Sequence, residues 1–153
     1  AMTGSLIKLN ITGENNLKLE DYWKEGPKTY LGLQIPGFPN MFTITGPGSP
    51  SVLTNMPTAI EHHVEWVTDC IKYMIDNNYE KISTTNKKSD EWGKEVNEAA
   101  NKTLLPTVKH SWYLGANIPG KPQVFMPYAG GLPVYKKICD EVKNNNYDGF
   151  VIT

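Results

Sequence analysis

A chain of 153 residues, 39% hydrophobic and 20% charged, is long enough for one domain that buries roughly 68–70% of its unfolded surface. A net charge of -1, from 15 basic and 16 acidic residues, leaves no electrostatic footprint for nucleic acid or an anionic membrane. No apolar run approaches the roughly 20 residues that cross a bilayer and no signal-peptide pattern opens the chain, so a cytoplasmic setting is expected, with Cys70 and Cys139 as buried reduced thiols.

In chain order, the roughly alternating segment 6–11 predicts a strand. Turn residues follow at 12–16, and 17–19 is expected to return as the second strand of a hairpin. A short helical turn is expected around Asp21-Tyr22-Trp23, then strands over 30–35 and 41–45 separated by Pro36-Gly37-Phe38-Pro39-Asn40. The second strand runs into Gly46-Pro47-Gly48-Ser49-Pro50, which continues neither strand nor helix and must be a shaped loop.

A helix is predicted from Met56-Pro57, with Asn55 as its cap and Pro57 in the first turn, closing at Asp76-Asn77-Asn78. Its Ile60, Val64, Val67, Ile71, Met74 and Ile75 are spaced by three and four and predict the inward face. Residues 79–82 are expected to form a brief strand, and 89–104 a second helix with Trp92, Val96, Ala99, Ala100 and Leu104 inward, stopped by Pro106. A long Gly- and Pro-rich segment of about 107–131, unusually aromatic, has the character of a functional loop. A last helix at 133–143 and a strand at 149–152 close the chain, which makes the fold class α/β.

Chemistry read from spacing alone is sparse. His62, Glu65 and Asp69 share a helical face, but it lies opposite the expected apolar stripe, where solvated charge belongs, and no metal site is expected. The loop 46–51 resembles the start of a GxGxxG fingerprint but lacks the third glycine. It nonetheless delivers a helix N-terminus at Asn55-Met56, whose positive dipole end suits an electron-rich flavin edge or a phosphate. Trp112 can stack on a base or ribose, or plug the core, and no Ser-His-Asp arrangement can be drawn from His62, His63 and His110.

Together, Ala1-Met2-Thr3-Gly4, DYWKEGP from Asp21, GPGSPSVLTNM from Gly46, IEHHVEW from Ile60, SWYLGANIPGK from Ser111 and the terminal YDGFVIT resemble, in order, the C-terminal part of flavin-dependent Baeyer–Villiger monooxygenases of the phenylacetone and cyclohexanone monooxygenase type. The resemblance implies a C-terminal fragment of a fold with two dinucleotide-binding domains. Residues 1–29 would be a hairpin and connector on the NADPH-domain side, and 30–153 the end of the FAD-binding domain. The GxGxxG fingerprints and the catalytic arginine of such proteins lie upstream, so no catalytic residue is expected here.

The resemblance further implies FAD and NADPH as cofactors, and a ketone and O2 as substrates of a parent enzyme forming an ester or lactone. Asn55 and Met56 would face the flavin, Ser51, Val52 and Leu53 would line the substrate pocket, and Trp112 would contact NADP. Asn117 and Lys121 share the Trp112 segment. The chain alone is expected to hold neither cofactor, to be inactive, and to expose apolar surface through which it self-associates. The alternatives are a non-catalytic binding or assembly module, and a flavin monooxygenase oxidising sulfur or nitrogen.

Overall fold

Helix punctuation at Asn55-Met56-Pro57 sets the longest element of the fold. The computed structural model describes residues 3–107, 112–115, 120 and 123–153, and the side chains of Val52, Pro106 and Trp112 lie outside that description. Its helices are α1 (Gly4–Ile7), α2 (Leu19–Tyr22), α3 (Met56–Asp76), α4 (Asn86–Asn101) and α5 (Leu132–Asn144). Its strands are β1 (Ile82–Thr84) and β2 (Phe150–Ile152). They pair antiparallel, with Ile82 opposite Ile152 and Thr84 opposite Phe150. No helix among the described residues is long and apolar enough to cross a membrane.

The expected N-terminal strand is instead the helical turn α1. Leu6 and Ile7 pack against a small cluster of Leu19, Trp23, Ile35 and Phe38, which a single helical turn can reach and an unpartnered strand could not. Only the mouth of the expected hairpin forms: Thr12 bridges Lys18, flanked by the hydrogen bonds Gly13 N–H to Leu17 O and Leu19 N–H to Ile11 O.

Segment 30–35 is likewise not a strand. Tyr30-Leu31-Gly32-Leu33 is a tight turn with φ of 56° at Leu31 and 68° at Gly32, closed by the bond from Leu33 N–H to Tyr30 O. Segment 41–45 contributes one bridge, Phe42 to Gln34. Both segments are apolar because they are enclosed by helices, not because they join a sheet. The brief strand expected at 79–82 falls two to three residues later, as β1.

α3 begins and ends where its capping residues place it, but its face is rotated. Ala59, His62, His63, Trp66, Cys70 and Met74 are buried, whereas Ile60, Val64, Ile71 and Ile75 are 39%, 49%, 45% and 68% exposed. The aliphatic stripe lies roughly 100° around the helix from the buried one at 100° per residue. Trp66 decides the matter: its ring packs on Tyr147 and Phe150 and its indole N–H donates to the Cys139 carbonyl at 2.9 Å. α4 starts three residues before expectation, capped by Thr85 Oγ1 accepting from Lys88 N–H. It buries Ser89, Trp92, Val96 and Ala100, while Leu104, expected inside, is 82% exposed.

Candidate functional site

The loop 46–51 is buried throughout, and each of its carbonyls accepts a hydrogen bond from a fixed partner. Thr29 Oγ1 donates to Pro47 O at 2.6 Å, Trp92 Nε1 to Gly48 O at 3.0 Å and Ser49 Oγ to Gly46 O at 2.7 Å. On its other side Gly48 N–H donates to Met126 O and Tyr128 N–H to Ser49 O. The turn at Gly32 presses so close that a Cβ there would lie 2.6 Å from Ser49 N. A Gly-Pro-Gly run meets this demand because any bulkier residue would displace a wall.

The loop leads into a 3-10 turn, Ser51–Leu53, whose first residue is buried and adopts φ of 45°. α3 then starts. Asn55 Oδ1 accepts from both Thr58 N–H and Thr58 Oγ1 at 3.2 Å, Ala59 N–H is bound by the Asn55 carbonyl, and Pro57 has no N–H. The first turn therefore presents Met56 N–H to an outside acceptor, with the positive helix end behind it. Asn55 is exposed and Met56 half-buried.

Trp112 opens a second 3-10 turn, Trp112–Leu114. The carbonyls of Leu114 and Tyr113 accept from Val124 N–H and Met126 N–H. Since Met126 O is the acceptor for Gly48 N–H, the segment 124–128 is one backbone clamp joining the turn at Trp112 to the loop that delivers Ser51, Leu53, Asn55 and Met56. Met126 and Thr29 were not singled out by the sequence, and Trp92 and Tyr128 were read only as an inward helix residue and as part of the aromatic segment. Their partners are backbone atoms, which leave no side-chain pattern to read. Asn117, Lys121 and His110 lie outside the described residues.

Beneath the loop runs a buried relay. Thr45 N–H donates to His63 Nδ1 at 2.8 Å, so Nδ1 is an acceptor and the proton of the neutral ring sits on Nε2. Nε2–H then donates to Tyr135 Oη at 2.7 Å, and the Tyr135 hydroxyl donates to Leu31 O. The relay ties α3, α5, the tight turn and the entry to the loop into one unit. Burial, reinforced by His62, lowers the His63 pKa from 6.5 to about 4, and burial holds the Tyr135 hydroxyl well above its ordinary value. Neither group ionises near neutrality.

A pH dependence follows. Unfolded His63 takes up a proton below about 6.5 while the folded ring resists it until about 4, so stability falls as pH drops through that window and is flat above it. The loss expected is on the order of 3 kcal/mol for a shift of this size. Urea unfolding at pH 7, 5.5 and 4.5 measures it, and His63→Gln is expected to reduce the slope, leaving the part due to His62, whose pKa burial also lowers; an unchanged slope in that variant would contradict the assignment.

The face of His62, Glu65 and Asp69 is not the uniformly wet surface expected: His62 is 5% exposed, and Asp69 pairs with Lys143. No group able to hold a metal ion occurs among the described residues. Cys70 and Cys139 are free and buried, their thiols pushed up to about 12 by burial.

No protein-family model matches the chain. It is 41% identical over 152 residues to cyclohexanone 1,2-monooxygenase of an Acinetobacter species, a match spanning 99% of this chain and 27% of that protein. It is 37% identical over 149 residues to phenazine N-monooxygenase PhzNO1 of Lysobacter antibioticus, 97% of this chain and 27% of the relative. Among solved structures, oxidized steroid monooxygenase bound to NADP superposes with a TM-score of 0.91 at 47% identity, covering 99% of this chain and 28% of that one. The OTEMO complex with FAD and NADP gives 0.91 at 37%, covering 100% and 28%. The chain thus spans little more than a quarter of the length of the proteins it matches.

Proposed function

Because the chain belongs to the Baeyer–Villiger monooxygenases, of which it spans a C-terminal portion, we propose that the whole protein is an FAD- and NADPH-dependent enzyme inserting one oxygen atom from O2 beside a ketone carbonyl, giving an ester or lactone. The observation that carries this reading is that such monooxygenases match 99% of the chain. The geometry fits a flavin: Met56 N–H and the positive end of α3 suit the electron-rich edge of its ring system, and Asn55 is exposed beside them. When bound, FAD would supply the activation of O2. This chain's part is to position and enclose.

Ser51, Val52 and Leu53 then form the wall of the substrate pocket, and Trp112 contacts NADP. The clamp 124–128 keeps these two parts in register. In this reading residues 1–29 belong to the NADPH-domain side and 30–153 to the end of the FAD-binding domain, and the apolar cluster of Leu19, Trp23, Ile35 and Phe38 packs the two parts together across that boundary. Two free buried thiols suit a reducing compartment, the cytoplasm.

The outward stripe of α3 is the surface through which this portion meets the rest of the flavoprotein. A helix apolar on two faces needs a cover on both, and each half-exposed aliphatic adds on the order of 1 kcal/mol when covered. The isolated chain is expected to cover it by self-association. Val64→Glu with Ile75→Lys is expected to weaken that association at least tenfold in sedimentation velocity without lowering the thermal midpoint. Unchanged association would remove the stripe from consideration.

The central test is purification of the chain and of its full-length parent. The chain alone is expected to carry no flavin and to oxidise no NADPH, the parent to carry FAD and turn over ketones to esters or lactones. Stoichiometric FAD with ketone-dependent turnover by the chain alone would overturn its dependence on the other domains. A second reading, oxidation at nitrogen, is favoured by the likeness to phenazine N-monooxygenase. An N-oxide in place of an ester from the parent would select it.

A further inference from the structure

On the side of α4 facing the connector 26–29, away from Ser51, Leu53 and Met56, lies a cavity of about 450 Å³, a size ordinary for small-molecule sites. Three features mark it as built space. Ser89 lines it, is 2% exposed, and has no hydrogen-bond partner for its Oγ. Buried hydroxyls are almost always paired, so an orphan beside a cavity points to an occupant that pairs with it.

Gly93 lies one turn on and lines the same space, with nothing within 4 Å of where a Cβ would be. Glycine is the poorest residue for a helix interior after proline, and any side chain here would both improve the helix and fill the cavity. The larger part of the remaining wall is apolar, with Val96, Pro27, Val124 and Phe125, while Glu25, Lys94 and Asn97 also border the space. Trp92 also borders the space while its indole N–H is already engaged by Gly48 O. Lys28 and Asp90 neutralise each other at 3.1 Å, and Glu25 and Lys94, which also line the space, carry opposite charges, so no net charge favours an ionic ligand.

We propose that this cavity binds a compact, uncharged, mostly apolar molecule through a single hydroxyl or carbonyl oxygen paired with Ser89, against the back of the loop 46–51. The site is separate from the pocket wall and flavin-facing helix end proposed above and does not depend on that reading.

The test uses the 153-residue chain with para-fluorobenzyl alcohol, and with para-fluorotoluene as the oxygen-free control. Fluorine NMR and ligand-induced thermal shift read binding, and Overhauser contacts to the Val96 and Val124 methyls locate it. The alcohol is expected to bind about fivefold to tenfold more tightly than the control, the ratio of one hydrogen bond, and Ser89→Ala to abolish that difference without touching the control. Gly93→Leu is expected to remove binding of both while raising Tm by about 2–4 °C, as a better helix former in open space. Equal binding of both compounds to the unaltered chain, undiminished binding by Gly93→Leu, a lowered Tm in that variant, or contacts elsewhere would each overturn the proposal.

Discussion

Replacing Tyr135 by phenylalanine is expected to destabilise the chain by about 2–5 kcal/mol, the cost of leaving two buried polar groups without partners. The ring would keep its place in the core, where it is fully buried, so packing is almost unchanged and the loss isolates the hydroxyl. That hydroxyl accepts from His63 Nε2–H and donates to Leu31 O, and no water can enter to replace it at a site of zero exposure. Urea unfolding measures the effect. A loss under about 0.5 kcal/mol, typical of a surface change, would mean that the two groups find other partners and that the relay does not hold the loop. His63→Phe in the same background is expected to add less than its own separate cost, because both changes break one network.

Gly48→Ala is the second large effect. Its φ of 87° and a Cβ that would stand 2.9 Å from Trp92 Nε1 and from Thr29 Oγ1 combine a left-handed backbone with two collisions. The strain of such a conformation is of order 1–3 kcal/mol. Displacing Trp92 or Thr29 also breaks a buried hydrogen bond worth about 1 kcal/mol. A total near 3 kcal/mol is expected in chemical denaturation. In the proposed parent enzyme, ketone turnover is expected to fall more steeply than FAD content, since the loop's carbonyls shift while the α3 cap remains. Full activity in this variant would separate the loop's packing from its proposed role.

Both effects arise in the loop–helix junction, and the two halves of that junction differ in how far they can be read in advance. The start of α3 is legible because Asn55 and Pro57 act within one helical turn: a cap and a missing N–H need no distant partner. The Gly-Pro-Gly loop is legible as a loop for the same local reason. What encloses it is not. Trp92, Thr29 and Met126 lie far from Gly46 and Gly48 along the chain and hold the loop through backbone atoms, which leave no trace in residue type.

The same distinction explains the errors in face and strand. Spacing identified a stripe of Ile60, Val64, Ile71 and Ile75, and that stripe exists. Spacing cannot decide which of two apolar faces a helix buries, because the choice belongs to the partner: Trp66, His63 and Cys70 meet α5, Tyr147 and Phe150. His63 reads as polar by type, yet as a neutral ring with both nitrogens bonded it behaves as a core residue. Segments 6–11 and 30–35 alternate or run apolar, but a strand needs a neighbour to receive its hydrogen bonds, and packing against helices took the place of pairing.

By itself, then, the sequence carried the likeness to Baeyer–Villiger monooxygenases, through six ordered motifs, and determined the start of α3 and the loop before it, because caps, prolines and glycines act over a few bonds. Only the tertiary structure decided which side of α3 is core, which carbonyls hold the loop, that His63 and Tyr135 form one relay, and that Ser89 and Gly93 border a common space. The first three are contacts between segments distant along the chain, and the space beside Ser89 and Gly93 is closed by segments distant from α4; all are settled by which surfaces can pack together.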